Sequence, residues 1–255
     1  MPKIIENRLI AEFKNNESFT RNELYDFYLL NEPDLNEGTF GWRIYDLKKK
    51  NIIRTIGRGL YTISYKPKYK PYISESILKI ARKTEERLDD IKYCLWETQW
   101  LNEFTQHQVT NQLIIVEVER EFIDTLYYYL NDHLRMDFFL NPDDKDIKFY
   151  ITESKTPVVI QRLVTRAPIS KYRDKKNSFP VATIEKIMVD LFADEKLFHF
   201  YQGSEMIRIY ENIINNYNIN FTKLFSYANR RKKEGEIKNF IDRTMPNLLN
   251  EIIND

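Results

Sequence analysis

Residues 52–64 read IIRTIGRGLYTIS, and they follow a segment, 36–50, that reads NEGTFGWRIYDLKKK. In the first stretch β-branched and aromatic residues alternate with polar ones on either side of Gly57-Arg58-Gly59, which predicts a β-hairpin turning at the glycines. In the second, Phe40, Ile44 and Leu47 recur at helical spacing and predict an amphipathic helix. Working outward, the residues from Asn31 to Gly38 include Pro33, Asp34, Asn36 and Gly38, a cluster of turn formers. Before them Thr20 and Glu23 stand at capping-box spacing, with Ser18 as a second candidate cap, and Leu24, Phe27 and Tyr28 continue an apolar face. The opening IIENRLIAEFK (4–14) places Ile5, Leu9, Ile10 and Phe13 on one side of a first helix. Three helices followed by a hairpin is the order of a winged helix-turn-helix domain, expected over residues 1–66.

Residues 66–71, KPKYKP, alternate lysine with proline and tyrosine. Two prolines exclude a helix and a central strand there, so the boundary is expected at this point and a second domain over 72–255. Ser74 opens a helix to about Leu88. IKYCLWET (91–98) reads as a buried strand, WLNEF (100–104) as a short helix, NQLIIVEVER (111–120) as a strand and REFIDTLYYYLND (120–132) as a helix. DIKFYITES (146–154) and PVVIQRLV (157–164) predict two further strands. Helical segments follow from Pro180: ATIEKIMVDLFAD (182–194), GSEMIRIYENIINNY (203–217) and NFTKLFSYANRRKKEGEIKNFIDR (220–243), with Gly203 and Asn220 at helix ends. The fold class expected is mixed α/β: a winged helix, then a mixed-sheet domain with a helical C-terminal part.

Composition bounds the function. The 255 residues hold 14% aromatics and only 6 glycines, a packed globular composition. No apolar run approaches the ~20 residues of a membrane span, so a cytoplasmic protein with no membrane partner is expected. The single cysteine, Cys94, excludes an intramolecular disulfide and reads as a small buried hydrophobe in YCLW. The net charge of +1 conceals an uneven distribution. From Asn36 to Lys70 the cations are Arg43, Lys48, Lys49, Lys50, Arg54, Arg58, Lys66, Lys68 and Lys70, against Glu37 and Asp46. A local field of this kind suits a polyanion, and equally a solvated face.

In a helix-turn-helix the second helix of the motif enters the major groove. With Phe40, Ile44 and Leu47 turned inward, Thr39, Trp42, Arg43, Asp46 and Lys50 fall on the other side, and Lys48 and Lys49 extend the charge. Arg43 is the expected base-contacting residue. Arg54 and Arg58 sit where a wing meets the minor groove or backbone. Double-stranded DNA is therefore the expected partner, and a protein-docking module without DNA binding is the rival. A second basic patch is expected at Arg230, Arg231, Lys232 and Lys233, as a polyanion site or a solvated helix face.

No catalytic residue, metal site or cofactor is assigned. His107, His133 and His199 share no ligand spacing, and neither a phosphate-cradling glycine loop nor a Gly-x-Ser-x-Gly elbow occurs. Glu117 and Glu119 fall on one strand face, as in metal-dependent nucleases, which is the enzymatic alternative. The lysine such sites use is absent, and alternating Glu is what a half-exposed strand produces. Asp190 and Asp194 share a helix face, positioned for acid–base work or, more commonly, as a surface pair at a helix end.

The wing IIRTIGRGLYTIS with its helices, YCLWETQWLNEF (93–104), LVTRAPI (163–169) and FPVATIEKIMVDLFAD (179–194) together resemble the AbiEi family of bacterial and archaeal antitoxins and transcriptional regulators. The late signature is Ala182, Thr183, Glu185 and the pair Val189-Asp190. The resemblance runs from about Ile10 to Lys233, and the helices after Asp194 are longer than in a minimal member. It implies a repressor of its own promoter that serves as the antitoxin of a type IV toxin–antitoxin pair. The functional partner would be a nucleotidyltransferase-type toxin. Thr39, Arg43, Lys48, Lys49, Arg54 and Arg58 match the DNA-contacting positions.

Overall fold

The computed structural model describes residues 2–16, 18–63, 66–88, 90–106 and 112–245. Ser64 at the end of the hairpin segment and His107 lie outside the described residues. The chain divides into two compact units, Met1–Lys68 with Asn216–Asn218, and Tyr69–Asn215 with Ile219–Asp255. Among the described residues no helix is long and apolar enough to cross a membrane.

The first unit runs α1 (Pro2–Phe13), β1 (Phe19–Thr20), α2 (Arg21–Leu29), α3 (Glu37–Lys49), β2 (Ile53–Gly57) and β3 (Leu60–Ile63). Local chemistry sets each boundary. Thr20 caps α2 with a full capping box: its hydroxyl accepts from Glu23 N–H while the Glu23 carboxylate accepts from Thr20 N–H. Asn36 caps α3 by accepting from Thr39 N–H at 2.9 Å. The hairpin turns at Arg58-Gly59, where Gly59 takes φ +70°, open to glycine at no steric cost. β1 pairs antiparallel with β3, giving a three-stranded sheet of order β1-β3-β2. Leu9, Phe13, Leu24, Phe27, Tyr28, Phe40, Ile44, Leu47 and Tyr61 are buried together in one core.

The second unit is built on a six-stranded mixed sheet. Its elements are α4 (Glu75–Arg87), β4 (Tyr93–Glu97), β5 (Ile114–Val118), α5 (Ile123–His133), β6 (Asp137–Leu140), β7 (Pro157–Arg162), β8 (Ile169–Arg173) and β9 (Ser178–Ala182), then α6 (Ile184–Ala193), α7 (Ser204–Asn216), α8 (Phe221–Arg230) and α9 (Glu234–Thr244). Strand order is β6-β7-β5-β4-β9-β8. β5, β7 and β6 run parallel to one another and β4 runs parallel to β9, while β4–β5 and β8–β9 are antiparallel. All residues of β4 and β5 are buried, as expected of strands covered on both faces. On one face Glu97 bonds Ser74 at the head of α4 and Tyr93 bonds Glu85 within it. On the other, Glu117 meets α6 and Trp96 packs on Phe198, with ring centroids 5.2 Å apart.

Three expectations are corrected. Residues 146–154 are not a strand: 146–151 form a single wide helical turn. The carboxylate of Asp143 accepts from Lys145 and Asp146 N–H, and Asp146 returns the bond to Asp143 N–H, a cap that overrides the apolar alternation of Ile147, Phe149 and Ile151. The segment 220–243 is two helices, because Arg231–Lys233 form a turn in which Lys232 adopts φ +59°. Finally, the chain does not become helical at Pro180, since β9 extends to Ala182 and pairs with β8, and β6 joins the sheet at its other edge.

Candidate nucleic-acid interface and a buried ionic cluster

α3 presents three different faces. Phe40, Ile44 and Leu47 point into the core. At about 100° per residue, Thr39, Arg43, Asp46 and Lys50 share one flank, and they line an open cleft of about 580 Å³ with Glu6 of α1, Tyr28 of α2 and, at its outer edge, Trp42. Charges on this flank are already paired. Both oxygens of Glu32 accept from Arg43, at 2.6 and 2.8 Å, and the guanidinium lies over the Tyr28 ring, 5.3 Å from its centre. Burial pushes the Tyr28 hydroxyl up to about 12. Lys50 contacts Glu6 and Asp46, each at 2.6 Å.

The outward face is different. Trp42 is 69% exposed and Tyr45 58% exposed, with ring centroids 6.3 Å apart, and Lys49, one turn on from Tyr45, is exposed as well. Lys48, on the next face, lies 6.0 Å from the Tyr61 ring centre. Arg58 is exposed at the hairpin turn, and Arg54 is half-buried in β2. Lys48, Lys49 and Arg58 make no ion pair among the described residues. The structure thus separates residues that the helical reading grouped: Trp42, Lys48, Lys49 and Arg58 stand open, whereas Arg43 and Lys50 are held by carboxylates. Tyr45 was missed. Its position one turn from Trp42 and Lys49 was the available signal, masked by the charged residues around it.

The second basic patch does not form as expected. Arg230 and Lys232 are exposed, Lys233 pairs with Glu236 at 2.7 Å, and Arg231 turns inward to Asp194 at 2.7 Å and Asp190 at 3.6 Å. The turn between α8 and α9 rotates these residues out of a common face.

Arg231 belongs to a buried cluster that also corrects the reading of the acidic residues. Glu117 lies on a fully buried strand, not a half-exposed one, and Glu119 is already beyond the strand's end. The missing lysine is supplied from α6: the Lys186 ammonium sits between Glu117 and Asp190 and contacts both. Asp190 is no surface residue, being 1% exposed and accepting from the Tyr227 hydroxyl at 2.8 Å. Burial lifts Glu117 above the carboxylate range despite Lys186, and it lifts the Cys94 thiol opposite on β4 as well. Burial opposes the charge on Lys186, but Asp190 and Glu117 more than offset it and hold its pKa above the ordinary value. Two cations, Lys186 and Arg231, face three carboxylates, Glu117, Asp190 and Asp194, and protonating Glu117 balances the charge. Glu117 and Lys186 are wholly shielded from solvent, and the ammonium fills the space between the carboxylates. The cluster ties β5 to α6 and α8. The Ala182–Asp190 signature acts here structurally: Thr183 precedes α6, and Glu185 accepts from the N–H of Asn220 at the start of α8.

A small helix-and-hairpin unit followed by a six-stranded mixed-sheet unit defines a two-unit mixed α/β protein. Residues 39–247 match the model of a family of unknown function, DUF6577, and the chain belongs to that family. The match begins in the first turn of α3 and runs past the end of α9. No curated protein matches the chain.

Proposed function

We propose that the protein is a DNA-binding transcriptional regulator whose first 66 residues act as a winged helix, α3 entering the major groove and the β2–β3 hairpin serving as the wing. One observation carries this reading. A helix, strand, helix, helix and hairpin close on a common core, and the outward face of α3 is an uncovered Trp42–Tyr45 pair beside lysines that make no ion pair among the described residues. Paired Arg43 positions α3 against Glu32, and Trp42 and Tyr45 read the groove. Aromatic rings there suit the thymine methyl group, and Lys48, Lys49 and Arg58 suit phosphates. By the AbiEi resemblance, the regulator represses its own promoter in the cytoplasm and acts without enzymatic activity, as antitoxin to a nucleotidyltransferase-type toxin.

Fluorescence anisotropy of the full chain on its own upstream DNA and on a scrambled duplex, across salt, tests this. Wild type is expected to prefer its upstream DNA. Trp42→Ala is expected to lose about tenfold on that duplex and little on the scrambled one, as for a base contact worth ~1–3 kcal/mol. Arg43→Ala should lose less, since the guanidinium is engaged within the unit. Equal binding to both duplexes, or none at low salt, sinks the regulator and favours the protein-docking rival. Divalent-metal-dependent cleavage abolished by Glu117→Ala would instead restore the nuclease alternative.

A further inference from the structure

The sheet of the second unit ends in a hairpin that none of this accounts for. Residues 166–176, RAPISKYRDKK, contain five cations and one carboxylate. Among the described residues β8 is the edge strand, paired with β9 alone. Along it Tyr172 packs against Phe179, with ring centroids 5.1 Å apart, which turns Lys171 and Arg173 to the opposite face, exposed. The turn beyond them is closed by hydrogen bonds. Asp174 Oδ1 accepts from the N–H groups of Lys176 and Asn177, both at 2.7 Å, and Asp174 N–H donates to the Asn177 carbonyl at 3.0 Å. This arrangement presents Lys175 and Lys176 at the tip, both exposed. A further cation joins from α4, where Arg82 donates to the Asn177 side chain at 3.4 Å. Lys171, Arg173, Lys175 and Lys176 make no ion pair among the described residues.

Lysines on an edge strand commonly serve only to prevent edge-to-edge pairing. That accounts for Lys171 and Arg173, which lie within the ladder. It does not account for Lys175 and Lys176, which lie beyond the last pair, Arg173 with Ser178, or for Arg82 on another element. Lys175 and Lys176 at the tip, Lys171 and Arg173 on the strand leading to it and Arg82 beside it outnumber the one carboxylate there, Asp174, and form a concentrated field for a polyanion.

We propose that the β8–β9 hairpin is a second DNA contact, gripping the phosphate backbone of duplex DNA through Lys171, Arg173, Lys175 and Lys176 without regard to sequence. This rests on the DNA-binding reading of the first unit. Each phosphate contact contributes about 0.9 to the slope of log affinity against log salt. The full chain carrying Lys171→Gln, Arg173→Gln, Lys175→Gln and Lys176→Gln is therefore expected to show a slope shallower by about 3 to 4. It should lose affinity about tenfold on upstream and scrambled duplexes alike, and a charge-preserving Lys/Arg exchange at the same positions should keep the wild-type slope. Trp42→Ala, in contrast, changes the ratio between the duplexes and leaves the slope. A wild-type slope in the quadruple variant overturns the hairpin contact and leaves the α3 reading standing. Failure of wild type to bind either duplex removes both. Should the variant not fold, acetylation of wild type decides instead: duplex DNA should protect Lys175 and Lys176, and equal acetylation with and without DNA overturns the proposal.

Discussion

Lys186→Ala is expected to destabilise the second unit by about 3–5 kcal/mol, the cost of stranding buried carboxylates without their cation. Lys186 and Glu117 are wholly buried, and Asp190 keeps only the Tyr227 hydroxyl and a long contact to Arg231 when the ammonium is lost. Against a typical total of ~5–15 kcal/mol for a domain, such a loss moves the urea midpoint far to the left. Replacing all three charges together, Lys186→Met with Glu117→Leu and Asp190→Leu, should cost less than the single change, because no charge is then buried alone. A catalytic role for the trio predicts the reverse: an alanine variant with a normal midpoint and altered chemistry. The same cluster makes stability depend on pH. Burial pushes Glu117 up to about 7, so the native state holds a proton that the unfolded chain, with an ordinary glutamate near 4.3, releases. The stabilisation from that proton is full below the unfolded value and is lost as pH rises towards 7. Glu117→Gln removes this slope, so wild type should lose about 1.4 kcal/mol per pH unit relative to the variant between about pH 4.5 and 7. Parallel urea midpoints across that window would show that Glu117 stays ionised.

Phe40→Ala is the second large effect, and it falls on the other unit. Phe40 is wholly buried, 4.7 Å from the Tyr25 ring centre and 6.1 Å from that of Tyr28, with the Arg21 guanidinium 4.9 Å above it. Truncating a buried phenylalanine costs about 3–5 kcal/mol. A core of this size supplies about as much in total, so the change is expected to unfold the first unit. Hydrogen exchange should show protection lost over 4–63 and kept in β4, β5 and β7, and anisotropy should show the preference for upstream DNA gone. Loss of protection throughout both units would mean that they fold as one.

The two units differ in how far their structure was legible. In the first, the decisive interactions span few residues. Thr20 and Glu23, Asn36 and Thr39, Phe40 with Ile44 and Leu47, and Arg58-Gly59 are each set by chemistry within at most two turns of chain. The open face of α3 was partly legible for the same reason, since helical spacing puts Trp42 and Lys49 together. What spacing did not show is that Glu32, 11 residues before Arg43, would claim the arginine.

The second unit hid more. The short edge strand β6 lacks the length to register as a pattern, and in β9 Pro180 argued against a strand whose partner, β8, alternates charge instead of apolar residues. The lysine of the buried cluster stood in plain sight four residues from Asp190, yet its other partner, Glu117, is 69 residues away on another element. The sequence by itself determined most of the helices, the Thr20 cap, the hairpin turn and the buried character of β4, because periodicity and side-chain capping act over three to seven residues. Only the tertiary structure decided which strands are neighbours, which carboxylates lose their water, and which cations are neutralised or left open. Those outcomes depend on which distant segments are packed together, and burial then sets the charge each group keeps.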